Sequence, residues 1–196
     1  MYLDEREVRA AAARWGEPRR ESLRVDVTPD ESAFIRGTQR HGRAHDLTFL
    51  IHDGPRIAVI AKHIYPGGVY RLPSGGAEPG ESIPDAIHRE AHEETGLRIE
   101  VERYLLRVAV RFEAPDPATS IDWTTHVFEA VRTGGRLEPV DTKEIRDAAW
   151  VTRQELLGPI RRRLVAWKVG GIQYRWRLHD ATFAELARRD GEEERP

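Results

Sequence analysis

The stretch at positions 75–97, GGAEPGESIPDAIHREAHEETGL, gathers carboxylates more purposefully than any other part of the chain. Read as a helix at about 100° per residue, it puts Glu93 and Glu94 on either side of Glu90 within an arc of about 100°. Ile83, Ile87 and Ala91 run beside that arc, so the three acids lie at a docking seam and not in open solvent. Like charges at i, i+4 repel by a few tenths of a kcal/mol even when exposed, and acids crowded at a seam need compensation. A divalent cation supplies it, and oxygen-only ligands favour a hard ion, Mg²⁺ or Mn²⁺. Arg89 stands next to the cluster, where a planar guanidinium can pair with Glu81 or another acid and hold the preceding loop against the helix. Gly75, Gly76 and Gly80 let that loop turn sharply and bring main-chain groups up to a metal or a phosphate.

The elements that must hold this stretch can be read from periodicity and punctuation. Ser82 reads as the cap of a helix over 83–95, with Pro84 in its first turn and Gly96 as its stop. A short strand over 69–72 leads into the loop. Upstream, β-rich runs over 47–52 and 56–64 flank Asp53-Gly54-Pro55, which is strong turn chemistry. Downstream come β-rich runs over 99–112 and 123–132, the second broken by Gly134-Gly135, and a last short strand over 149–151. Asp4 reads as the cap of an N-terminal helix ended by Gly16, and a strand over 23–27 ends at Thr28-Pro29-Asp30. Helical patterns close the chain over 154–157, 159–168 and 172–189, with a frayed tail from 190. The order is mixed α and β, with one central helix between strands and helices at both ends.

Composition excludes several classes. The chain has 196 residues, 31 Lys and Arg against 33 Asp and Glu, and a net charge of −2, so no global field favours nucleic acid or acidic membranes. Cysteine is absent, which removes disulfides, thiolate zinc sites and cysteine nucleophiles and makes the cytosol the natural compartment. No apolar run approaches the ~20 residues that span a bilayer. The chain is therefore expected to be cytoplasmic, with no membrane partner and no nucleic-acid partner.

Gly75, Glu81 and Arg89-Glu90-Ala91-His92-Glu93-Glu94-Thr95-Gly96-Leu97 stand at spacings that match the signature of the Nudix hydrolases, and the chain resembles that family. The resemblance implies an α/β fold, an α/β/α sandwich around a mixed β-sheet with N- and C-terminal helical extensions. The division it suggests is an N-terminal extension over 1–45, a catalytic core over 46–160 and a C-terminal extension over 161–196; extensions of that size are compatible with a homodimer. It implies a metal-dependent pyrophosphohydrolase acting on a nucleotide-derived small molecule, a nucleoside diphosphate linked to another moiety, with Mg²⁺ or Mn²⁺ as cofactor. In the family's terms Glu90, Glu93 and Glu94 are metal ligands, Arg89 and Glu81 the structural pair, Gly75 and Gly96 motif glycines, and Ser74 a backbone-carbonyl ligand where the family commonly has glycine. A further acid from a later loop completes the site or acts as base; Glu144, six residues before Trp150, fits best, with Glu113, Asp116 and Asp122 as competitors. The proton acceptor is one of Glu90, Glu93 and Glu144.

Other residues have blander explanations. His88 and His92 fall on the face away from the acids and read as solvent-facing. Arg161-Arg162-Arg163, with Trp167 and Trp176 nearby, could form a basic aromatic surface for nucleic acid, but a solvated helix face accounts for them better. Arg71, Arg107 and Arg111 are candidate contacts for substrate phosphates, and Lys62, His63, Tyr65 and Tyr70 flank the strand entering the motif loop. A binding module that recognises a nucleotide or RNA end without cleaving it is the rival reading.

Overall fold

The computed structural model describes residues 3–193. Its strands are β1 (Arg19–Asp26), β2 (His45–Asp53), β3 (Arg56–Lys62), β4 (Ser74–Gly75), β5 (Leu97–Glu113), β6 (Ile121–Gly135) and β7 (Ile145–Thr152). Its helices are α1 (Glu5–Trp15), α2 (Pro29–Gly37), α3 (Ile83–Thr95), α4 (Arg153–Glu155), α5 (Arg161–Ala166) and α6 (Gly170–Glu193), with a π-turn, Leu156–Ile160, between α4 and α5. One mixed sheet runs in the order β1-β5-β6-β2-β3-β7, with β4 added to β2. β1 lies parallel to β5 and β2 parallel to β6; the other pairings are antiparallel.

Alternation along the strands sends side chains to two cores. Leu47, Phe49, Ile51 and Ala58 point to one face, where Val8, Ala11 and Trp15 of α1 and Ile83, Ile87 and Ala91 of α3 cover them. Leu50, Val59 and Val127 point to the other, under Leu164 of α5 and Tyr174, Leu178, Phe183 and Leu186 of α6. The expected three-layer sandwich is present, and the terminal helices complete its cores: α1 and α6 bury as thoroughly as the elements between them.

Several local expectations need correction. Thr28-Pro29-Asp30 begins a helix as well as ending a strand, because Thr28 and Glu31 form a reciprocal capping box with Pro29 in the first turn. Gly134-Gly135 does not break β6; the ladder continues as Arg98 pairs with Gly134 and Leu97 with Gly135. A Cβ on Gly135, at φ +82°, would strike the Gly96 carbonyl, so glycine there permits a close approach. The expected strand over 69–72 is reduced to one bridge, Arg71 to Ile60. The last helix starts at Gly170 and continues through Glu193, beyond the expected fraying point; residues 194–196 lie outside those described.

The feature that positions the site is a split in the sheet. β2 and β3 pair only at His52–Ile57 and Asp53–Arg56, beside their turn. Beyond it they part, and the chain from Arg71 to Gly75 occupies the gap, bridged to Ile60 on one side and paired with Leu47 and Thr48 on the other.

Three histidines are buried in this framework: His45, His126 and His179. Burial lowers their pKa values to about 4, about 3 and about 3, so all three are neutral in the fold. The unfolded chain takes up these protons near pH 6.5, and the folded chain does not until the lowered values are reached. Stability is thus complete at neutral pH and is lost as pH falls through that window. The urea midpoint is expected to drop on acidification from pH 7 to 5, and His126→Gln to make the slope shallower by about one proton, about 1.4 kcal/mol per pH unit. Equal slopes would show that His126 is already protonated in the native state.

Candidate active site

The residues that carry the motif are arranged by two guanidinium groups. Arg89 grips Glu81 in a bidentate pair, Nε to Oε1 at 2.8 Å and Nη2 to Oε2 at 2.8 Å, and Nη2 also reaches the Gly76 carbonyl at 2.9 Å. Its Nη1 donates to Glu90 at 3.0 Å and Glu93 at 3.1 Å. Fork geometry lets one side chain tie the loop to the helix and offset three acids at once. The Gly76 N–H donates to Glu90 at 3.1 Å, and a Cβ on Gly75 would overlap the Glu90 carboxylate. Gly75 is thus a cradle for that acid.

Arg71 does the same work deeper in the fold. It is 1% exposed, lying in the gap between β2 and β3. It donates to Glu94 Oε1 at 3.2 Å, the Leu72 carbonyl at 2.7 Å, Ser74 Oγ at 2.8 Å and the Tyr65 hydroxyl at 3.2 Å. The other Glu94 oxygen takes the Ser74 N–H at 2.7 Å. Burial raises the Glu94 carboxyl above its ordinary value despite Arg71. Burial raises Glu90 as well, against the pull of Arg89 and with the repulsion of Glu94 and Glu93 adding to it.

The fourth acid comes from the loop after β6. Val140 and Asp141 donate their N–H groups to the Glu93 carbonyl at 3.0 and 2.9 Å, and Glu138 donates to the Thr95 carbonyl at 2.9 Å, so the loop caps the C-terminus of α3. Gly96, at φ +70°, is needed because a Cβ there would collide with the Glu138 and Arg136 carbonyls. Three residues past Asp141, Glu144 pairs with Lys62 at the end of β3, and His63 donates to the Thr142 carbonyl at 2.9 Å. Burial would raise the Glu144 carboxyl, but Lys62 and Arg71 outweigh it and hold it low. Glu144 is near enough to act on Glu94 in turn.

The structure therefore brings Glu90, Glu93, Glu94, Ser74 and Glu144 into one neighbourhood, linked through Arg89, Arg71 and the repulsion between the acids, and gives the competitors other partners. Glu113 pairs with Arg24, Asp116 caps the turn at Ala118, and Asp122 pairs with Arg111. Of the arginines expected to meet substrate, Arg71 is buried against Glu94, Arg107 is paired with Glu5 of α1 and Arg111 with Asp122. Each has a carboxylate partner that a one-dimensional pattern does not reveal. His88 and His92 are exposed, as expected. Arg161 of the basic run is bound to Asp180 and lies over Trp176 at 4.5 Å. Sequence reading missed Asp46 and Arg175, which meet at 3.1 Å beside Ser74. They are far apart in the chain, and neither belongs to a motif.

An all-oxygen donor set crowded enough to raise two carboxyls, on a loop whose Gly75 leaves room for one of them, fits a hard divalent cation. Among the described residues, the acids and imidazole whose potential ligand atoms lie within 4.8 Å of one another are a different set, His52, Glu102 and Glu129 near the β2–β3 turn. There His52 is bonded to Glu102, and Arg103 already neutralises Glu129.

The structure is thus a three-layer α/β/α domain whose split sheet presents an acid-lined helix beside a glycine loop. A family model described as NUDIX domain matches residues 41–168, and the chain belongs to that family. It is 31% identical over 114 residues to the mouse mitochondrial NAD(P)H pyrophosphatase NUDT13, a match covering 58% of this chain and 31% of that protein. It is 38% identical over 97 residues to human 8-oxo-dGDP phosphatase NUDT18, covering 48% of this chain and 27% of that one. Among solved structures, a MutT NUDIX hydrolase from Burkholderia pseudomallei is 26% identical with a TM-score of 0.44, covering 57% of this chain and 84% of its own. The chain thus spans under a third of the length of these two mammalian relatives.

Removing the Arg89 fork leaves three acids facing one another without a cation. Arg89→Ala is expected to destabilise the metal-free protein by about 2–4 kcal/mol in urea. Arg89→Lys should recover less than half of that, because an ammonium cannot make the bidentate contact.

Proposed function

We propose that this chain is a divalent-metal-dependent pyrophosphohydrolase that cleaves a nucleoside diphosphate linked to another moiety. The observation that carries the reading is the convergence of Glu90, Glu93 and Glu94 from α3 with Glu144 from a separate loop, beside a glycine turn and two cations. Glu90, Glu93, Glu94 and the Ser74 carbonyl would hold Mg²⁺ or Mn²⁺, with Glu144 completing the set. When bound, the metal supplies charge neutralisation on the phosphate oxygens and a lowered pKa for a coordinated water.

The chain's own residues do the rest. Arg89 and Arg71 fix the carboxylates before substrate arrives, so the donors need no reorganisation during reaction. Lys62, which faces Glu144, and Arg43, whose guanidinium lies against Gly76, are the cations placed to meet substrate phosphates. They take over the role expected of Arg71, Arg107 and Arg111. One of Glu90, Glu93 and Glu144 accepts the water's proton.

The relatives' names point to dinucleotides and oxidised nucleotides as the first substrate classes to try. Absence of cysteine fits a reducing compartment such as the cytosol, and no helix among the described residues is long and apolar enough to cross a membrane. A homodimer would have to use the outer faces of the terminal helices, since their inner faces are spent on the two cores.

The test is release of mononucleotide from a panel of dinucleotides, nucleotide sugars, ADP-ribose and nucleoside triphosphates, with Mg²⁺, with Mn²⁺ and with chelator. A chelator-sensitive product is expected, and the double variant Glu93→Gln/Glu94→Gln should lower its rate by at least three orders of magnitude, on the scale of removing a group that acts as a unit with its partners. Tight nucleotide binding with no product under any metal condition would establish the silent binding module instead.

A further inference from the structure

The last helix reaches through the sheet to the motif loop. α6 covers the face opposite α3, yet two of its side chains, one helical turn apart, take hold of the segment 72–74. Arg175 donates to Ser74 Oγ at 3.1 Å, and His179 Nε2 accepts the Leu72 N–H at 3.3 Å. Between them the Pro73 carbonyl is taken by the Phe49 N–H at 3.0 Å. In an antiparallel ladder that bond makes Thr48 and Ser74 a non-hydrogen-bonded pair, so the Ser74 N–H and C=O both turn away from β2. The N–H goes to Glu94; the side chain, on the face of Thr48, goes to α6.

We propose that Arg175 is a positioning residue for the cation site, acting through the Ser74 hydroxyl to set the loop that carries the Ser74 carbonyl and anchors Glu94. The inference rests on the metal-site reading above. The geometry is specific: Ser74 Oγ accepts from Arg71 at 2.8 Å and from Arg175 at 3.1 Å, which uses both lone pairs. It is the hinge between two ion pairs, Arg71 with Glu94 and Arg175 with Asp46. Arg175 is itself immobilised. It lies over the Tyr174 ring at 4.7 Å, and its partner Asp46 is buried and also accepts from Thr125 and from the Tyr174 hydroxyl. A buried hydroxyl is unfavourable unless its hydrogen bonds are made. Alanine at 74 would leave the Asp46–Arg175 pair intact but would take one acceptor from each guanidinium, so its cost in stability is read separately from its effect on the loop.

The experiment measures Mn²⁺ binding by the full chain, from the loss of the free-ion electron paramagnetic resonance signal, alongside thermal midpoints. Ser74→Ala and Arg175→Lys are each expected to weaken Mn²⁺ affinity about tenfold, the scale of losing a residue that orients metal ligands. The double variant should be little worse than Ser74→Ala, because the bond weakened by Arg175→Lys is one of the two that Ser74→Ala already removes. Folded single variants that bind Mn²⁺ as the parent does, with only a lower midpoint, would reduce Arg175 to a stabilising contact and overturn the proposal. So would additive losses, which would mean that Arg175 does not act through Ser74. If Arg175→Lys fails to fold, Arg175→Gln takes its place, because Ser74→Ala also removes the bond from Arg71. Glu93→Gln/Glu94→Gln is the control: unchanged Mn²⁺ binding there refutes the metal-site reading and this inference with it, whereas loss there with parental binding in Ser74→Ala refutes this inference only.

Discussion

The buried pairing of Arg71 with Glu94 is the constraint around which the molecule is organised. A guanidinium at 1% exposure persists only if every donor is used and a carboxylate faces it. Four acceptors in the gap between β2 and β3 meet its three nitrogens, namely Glu94, the Leu72 carbonyl, Ser74 and Tyr65, and the Asp46 charge beyond them adds to the attraction of Glu94. Removing either member would strand the other in a low-dielectric interior. The gap, the short strand β4 and the docking of α3 are consequences of accommodating that pair, because Glu94 cannot reach Arg71 unless the sheet parts and α3 lies at its opening.

That arrangement leaves an imbalance which has chemical use. Glu90 and Glu94 both have carboxyls raised by burial, so in the metal-free protein they are ionised against resistance. The cation of the proposed reaction would relieve that expense, and in its absence Arg89 and Arg71 offset it from behind. Sites that favour function over local stability are expected in natural proteins.

Much of this was legible in the sequence where interactions are local. The Ser82 cap of α3 and its Gly96 stop follow from residues within one turn of each other, and the Arg89–Glu81 pair spans only eight residues. Glu144 could be singled out because its distance from Trp150 fits a loop before the last strand. What could not be read is long-range pairing of charges. Arg71, Arg107 and Arg111 look like free cations in the chain and become bound ones only when Glu94, Glu5 and Asp122 fold against them. Asp46 and Arg175 are separated by most of the chain, so their meeting depends on the docking of α6, which no local pattern encodes. Gly134-Gly135 resembles a strand breaker for the same reason: its role is a close approach to Gly96, and the approaching chain is invisible from composition.

The suspension of the Glu144 loop from the Glu93 carbonyl has a consequence for how such a domain can diversify. Because Val140 and Asp141 are hung on the same helical turn that carries the motif acids, the fourth acid takes its position from α3 and not from the long hairpin that precedes it. β5 and β6 can then gain or lose residues at their far end, around 114–120, without displacing Glu144. An evolving lineage is free to remodel that distal tip while the acids keep their mutual geometry, so novelty at one end of the hairpin and constancy at the other can coexist in one chain.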